Sequence, residues 1–148
     1  MLPVLVGSLH DFVDEDGDPG RDAEFREFLD ALRATVEQLG RRVVYLAGVD
    51  LAHVGMRFGA EVAPTPEELT RLESADRESL GLLERLDGPG FFRYIAAEKD
   101  ERHVCGTAPI TAMMELLDAD EARILRYEQA YEDETGSVVT YASMAFYG

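Results

Sequence analysis

At 148 residues the chain is the size of one ordinary domain, long enough for a single core and too short for two. Its 14 Lys+Arg against 30 Asp+Glu give a formal charge of -16, which repels phosphate backbones and anionic lipid surfaces and excludes nucleic acid as an expected partner. The one cysteine, Cys105, cannot form an internal disulfide, and neither a bilayer-spanning run nor a signal-peptide lead is legible, so the expected compartment is the cytoplasm.

The chain opens on "LPVLVG", an apolar run bounded by Gly7 that reads as a strand buried on both faces, an abrupt start for a whole domain. Residues 11–22, "DFVDEDGDPGRD", read as a solvated acidic loop. The spacing Asp14-x-Asp16-x-Asp18 resembles the opening of a calcium loop, but Pro19 and Phe25 stand where that loop needs glycine and glutamate. From Asp22 to Leu39 apolar residues recur at helical spacing, with Gly40 placed as a left-handed cap, and Val43 to Leu46 form the next strand. Strand, helix and strand predict a β-α-β crossover with parallel strands, beyond whose carboxyl ends functional groups gather.

A second helix is signalled by Thr65 as N-cap, Pro66 at the first helical position and Glu68 as the capping-box partner, with Leu69, Leu72, Leu80 and Leu83 as its buried stripe. A third starts at Asp87 and Pro89. A fourth follows Cys105-Gly106, with Thr107 as its cap and Ile110, Met113, Met114 and Leu117 on its apolar side. "RILRYEQAYE" and "SVVTYASMAFYG" flank Thr135-Gly136 and predict an antiparallel hairpin.

Chemistry-bearing groups are few. Cys105 precedes a helix N-terminus, where free backbone N–H groups favour a thiolate that ligates metal or attacks an electrophile; the plain alternative is an inert buried cysteine. Asp50 and His53 follow a strand at a spacing that lets the carboxylate orient the imidazole if the chain turns helically, or else Asp50 simply caps a turn. His103, two residues before the cysteine, points away from it if the segment is extended and reads as surface. His10 reads as exposed, Arg57 as an anion contact or a local ion pair, and Tyr127, Tyr141 and Met113-Met114 as core or rim. No phosphate-binding glycine loop, G-x-S-x-G elbow or zinc ligand cluster is present, and one cysteine with three scattered histidines barely reaches the three ligands of a catalytic metal site.

Taken together, "LPVLVGSL", "VVYLAGVDLAHVGMRFG", "VCGTAPI" and "SVVTYASMAF" resemble the Memo family, whose bacterial members are labelled AmmeMemoRadiSam system protein B. The resemblance runs over nearly all 148 residues and corresponds to the carboxyl-terminal half of such a protein. It implies a single Memo-like domain lacking its amino-terminal half, a partial three-layer α/β sandwich like that of class III extradiol dioxygenases. That fold has parallel central strands, here followed by the C-terminal hairpin. It also implies a pocket for iron or copper, in which Cys105 is a metal ligand, two further ligand histidines come from the absent half, and Asp50 and His53 line the same pocket. Gly48 and Val49 stand where the family carries two serines before this aspartate.

The function implied is a metal-dependent redox or dioxygenase-like enzyme acting on a small molecule, with His53 as acid/base and Asp50 orienting it. A thiolate in place of the usual carboxylate favours softer metals, so ring cleavage does not follow. The alternatives are a non-catalytic ligand- or peptide-binding protein and an inactive truncated remnant. An open edge of apolar strands predicts an amino-terminal polypeptide or a second copy as partner.

Overall fold

The computed structural model describes residues 1–15, 17–132 and 134–148. In chain order these form α1 (His10–Asp14), α2 (Ala23–Leu39), β1 (His53–Val54), α3 (Pro66–Glu84), α4 (Gly88–Ala97), α5 (Thr107–Leu116), β2 (Glu121–Glu132) and β3 (Ser137–Tyr147). The architecture is α/β: helices packed around one small antiparallel sheet of order β1-β3-β2. Among the described residues no helix is long and apolar enough to cross a membrane.

Local signals set the helices. Asp22 caps α2 by accepting the Phe25 N–H at 2.8 Å, and Gly40 ends it in the left-handed region at φ 57°. Asp87 caps α4 through the Gly90 N–H. On α3 the reciprocal capping box forms as predicted: Thr65 Oγ1 accepts from the Glu68 N–H, and a Glu68 carboxylate oxygen accepts from the Thr65 N–H at 2.7 Å. Thr65→Ala is expected to cost about 1 kcal/mol in urea unfolding. The Thr65 N–H holds the Glu68 carboxyl below its ordinary value of 4.5. The stability this contributes is present above that value and fades as pH falls through the lowered one. On α5 the expectation needs a correction, because Gly106 is the N-cap and Thr107 the first helical residue, its hydroxyl donating back to the Val104 carbonyl.

The hairpin is also as predicted. β2 and β3 pair from Glu121↔Tyr147 to Glu132↔Ser137, with a bulge that leaves Leu125 unpaired, and Gly136 takes φ 57° in the turn. One apolar cluster of Val13, Phe25, Leu29, Phe92 and Ala112 joins α1, α2, α4 and α5. A second, around Leu80, Leu83, Phe91, Ile95 and Ile110, joins α3, α4 and α5 and packs on the hairpin through Ile124, Met144 and Phe146.

Two expectations are overturned. The acidic stretch is not simply a loop: it contains α1 and a 3-10 turn over Pro19–Arg21, because Leu9 and Val13, four apart, bury against Phe25 and Phe92. Asp16, the middle residue of the calcium-like spacing, lies outside the described residues, and an Asp18 carboxylate oxygen is occupied by the Gly20 N–H. The predicted parallel strands do not form among the described residues: residues 2–7 and 43–46 have no ladder partner, and Leu2, Leu5, Val44 and Leu46 are exposed. Strand propensity cannot create a strand without a neighbour to take its hydrogen bonds, and on the β3 edge facing away from β2 the ladder with β1 reaches only Val138 and Val139.

Candidate functional site

The site begins where residues 51–54 lie along β3. The Leu51 N–H donates to the Thr140 carbonyl at 2.8 Å, the Thr140 N–H returns to Ala52 at 2.9 Å, and the fully buried Thr140 hydroxyl accepts from the Ala52 N–H. His53 and Val54 then pair with Val139 and Val138. This clamp fixes the backbone that carries Asp50 and His53 without any helical turn. Just beyond it, Gly55 at φ 108° passes so close to β3 that a Cβ there would meet the Ser137 Cα at 2.7 Å.

Cys105 comes to the same place from the N-terminus of α5. Gly106 permits this: a Cβ at Gly106 would lie 2.6 Å from the Asp50 carbonyl oxygen and 2.9 Å from both Val49 Cγ2 and Ile110 Cδ1. With no side chain in the way, the Cys105 thiol contacts the Asp50 carbonyl at 3.6 Å. Asp50, His53 and Cys105 each offer one ligand atom, and the oxygen, nitrogen and sulfur all lie within 4.8 Å of one another. Asp50 and Cys105 are exposed and His53 is half-buried, so the cluster opens to solvent.

The His53 ring is held by backbone. Its Nδ1 lies 3.1 Å from the Leu51 carbonyl and 3.1 Å from the His103 carbonyl. Both are acceptors only, so Nδ1 carries a hydrogen, and any lone pair of the ring lies at Nε2. That Nε2 stands 3.9 Å from Asp50 Oδ2, beyond hydrogen-bond reach. The Phe58 ring meets the imidazole edge-on, with centroids 5.0 Å apart. His103 is exposed, as expected, but it belongs to this arrangement: its own Nδ1 donates to the His53 carbonyl at 3.3 Å. Residues 99–102 are turned rather than extended, with Lys99, Asp100 and His103 all near φ 50°, and among the described residues His103 is not one of those whose ligand atoms converge with Cys105.

Behind the rim lies a group that the pattern reading passed over. Asp76 on α3 is fully buried and pairs with Arg102 Nη1, while Asp76 Oδ2 accepts from the Tyr127 hydroxyl at 2.8 Å. Arg102 Nε donates to Glu98 at 2.7 Å; Nη2 lies equally close to the same oxygen but without hydrogen-bond geometry. Arg102 also lies over the Tyr94 ring at 5.7 Å. Burial pushes the Tyr94 hydroxyl up to about 12 and raises Tyr127 and Glu98 as well. For Arg102 burial opposes the charge, yet Glu98 and Asp76 carry its pKa above the ordinary value. A signal for Asp76 existed: it stands four residues from both Leu72 and Leu80, on the apolar stripe of α3.

The remaining candidates fall away from the cluster. His10 is exposed on α1. Arg57 pairs with Glu132 at 2.9 Å, and Tyr141 bonds to Glu128. Met114 packs in the second core cluster, and Met113 lines a cavity of about 750 Å³ between residues 43–49, α5 and β3.

A family model described as "Memo-like protein" matches residues 20–145. A curated relative, the "MEMO1 family protein" of Aquifex aeolicus (strain VF5), is 29% identical over 105 residues, covering 69% of this chain and 26% of the relative. The match thus spans about a quarter of that protein's length.

Proposed function

The chain belongs to the Memo-like family, and on that premise we propose that it forms part of a non-haem, iron- or copper-dependent redox enzyme acting on a small molecule. The observation that supports this reading most is the convergence of an oxygen, a nitrogen and a sulfur donor within 4.8 Å at a solvent-open rim. A second is the outward lone pair at His53 Nε2, imposed by two carbonyls on Nδ1 and facing the Asp50 carboxylate. A lone pair opposite a carboxylate presents two acceptors, which a proton, a cation or a donating solvent molecule between them satisfies.

In this reading Cys105 is the metal ligand held by this chain, with further ligands coming from outside it. Bound iron or copper would supply redox capacity and Lewis acidity. His53 takes or gives a proton at Nε2, its ring held by the Leu51 and His103 carbonyls. Asp50 stabilises the ring when it is charged. The Phe58 ring packs against the imidazole in a T-shaped contact and limits its exposure on that side.

The same proposal extends to the fold and its partners. We read the three-stranded sheet as one portion of a larger α/β sandwich like that of class III extradiol dioxygenases, completed by strands from outside these 148 residues. The apolar segment 43–47, which lines the 750 Å³ cavity and has no ladder partner among the described residues, supports this extension. The compartment proposed is the cytoplasm, where a lone exposed thiol stays reduced.

The test is metal content and cobalt(II) absorption of the purified chain, alone and with an amino-terminal portion of a family member. Wild type is expected to take up metal and give a thiolate-to-cobalt band, and Cys105→Ala to lose both. A wild-type chain that takes up no iron, copper or cobalt under either condition overturns the reading and leaves a non-catalytic ligand-binding protein or an inactive remnant.

A further inference from the structure

We propose that the turn over residues 99–105, pinned from inside by the Arg102–Asp76 pair and from outside by Asp100, is a positioning device for the Asp50–His53–Cys105 cluster. The inference rests on the reading of that cluster as the functional site. It starts from backbone strain. Of the four non-glycine residues with positive φ among the described residues, three, Lys99, Asp100 and His103, fall within five positions of one another. Side chains disfavour that conformation, and it persists only where the surroundings over-determine it.

The surroundings do so from two sides. Inside, Arg102 enters the core and meets the fully buried Asp76, which is fixed in turn by the Tyr127 hydroxyl. A buried ion pair contributes little net stability compared with apolar packing, but it has one geometry and therefore sets register. Outside, an Asp100 carboxylate oxygen accepts the Val104 N–H at 2.7 Å and closes the turn.

Three groups of the turn, the Arg102 and His103 carbonyls and the His103 ring, bear on the site. The Arg102 carbonyl accepts the His53 N–H at 2.8 Å, and the His103 carbonyl accepts from His53 Nδ1. The His103 ring returns a bond to the His53 carbonyl, and the turn ends at Cys105. His53 is therefore gripped at its backbone and at its ring by two consecutive residues, the first of which is anchored in the core by a charge. Asp76, Arg102 and Asp100 are positioning residues: they touch neither ligand nor substrate and act through His53 and Cys105.

Two variants test this. The double variant Asp76→Leu with Arg102→Met removes both members of the buried pair and leaves only the half-buried Glu98 carboxyl, whose pKa burial already raises, without its partner. Asp100→Gly removes the outer lock while allowing the same left-handed backbone. The readouts are the ring nitrogen chemical shifts of His53, which report its tautomer, and the cobalt(II) dissociation constant from the thiolate absorption band.

Wild type is expected to show one Nδ1–H tautomer. Each folded variant should show a mixture and weaken cobalt binding by about tenfold or more, the range for residues that orient ligands. A variant that melts cooperatively yet keeps the single tautomer and wild-type cobalt affinity overturns the proposal. If the double variant does not fold, Asp100→Gly decides alone. If wild type binds no cobalt, the metal reading fails and the tautomer still decides the role of the turn.

Discussion

Gly106→Ala is expected to destabilise the protein by about 1–3 kcal/mol, the usual cost of overpacking, and to separate Cys105 from Asp50. The cost is steric alone. Gly106 has φ -73° and ψ -8°, a backbone that alanine adopts readily, so on conformational grounds the change would stabilise. The added Cβ, however, would lie 2.6 Å from the Asp50 carbonyl oxygen, a backbone atom held by the clamp of residues 51–54 on β3. Either that clamp or the start of α5 must move, and either movement pulls the thiol from its 3.6 Å contact. Urea unfolding reads the stability and the thiolate-to-cobalt band reads the site. A variant as stable as wild type with an unchanged band would show that the two segments do not meet as described.

Asp76→Leu alone should be costlier, about 3–5 kcal/mol, because it leaves the Arg102 guanidinium buried against only the half-buried Glu98 and strips the Tyr127 hydroxyl of its acceptor. Against a total stability of about 5–15 kcal/mol for an ordinary domain, that loss brings the variant close to unfolding. Adding Arg102→Met should restore much of it, since an apolar pair of similar volume needs no compensation for lost hydration. Denaturant midpoints of the single and double variants, measured side by side, give the coupling. A single variant within about 1 kcal/mol of wild type would mean that Glu98 alone neutralises Arg102 and that Asp76 is dispensable.

What the sequence determined by itself is what adjacent residues decide among themselves. The caps at Asp22, Thr65 and Asp87, the left-handed stop at Gly40 and the hairpin around Gly136 each depend on groups within about four positions, so their chemistry is visible in a short window. Cys105 was legible for a related reason, since it shortly precedes α5, whereas Asp50 and His53 follow a segment, 43–46, of strand composition that forms no strand among the described residues.

Only the tertiary structure decided the rest. Residues 43–46 have the composition of a strand, yet among the described residues no partner takes their hydrogen bonds, and pairing is a property of two segments rather than one. Asp76 and Arg102 sit in the charged runs "ADRES" and "KDER", and although Asp76 falls on the apolar stripe of α3, nothing within either run names its partner. They are buried because each supplies the counter-charge the other needs, a condition that spans 26 positions of chain. His103 joins His53 across 50 positions through a turn of three left-handed residues, of which Asp100 and His103 are types that tolerate that conformation better than most. Burial of charge and backbone strain are tolerated only when distant groups compensate them, and that compensation is set by packing in three dimensions.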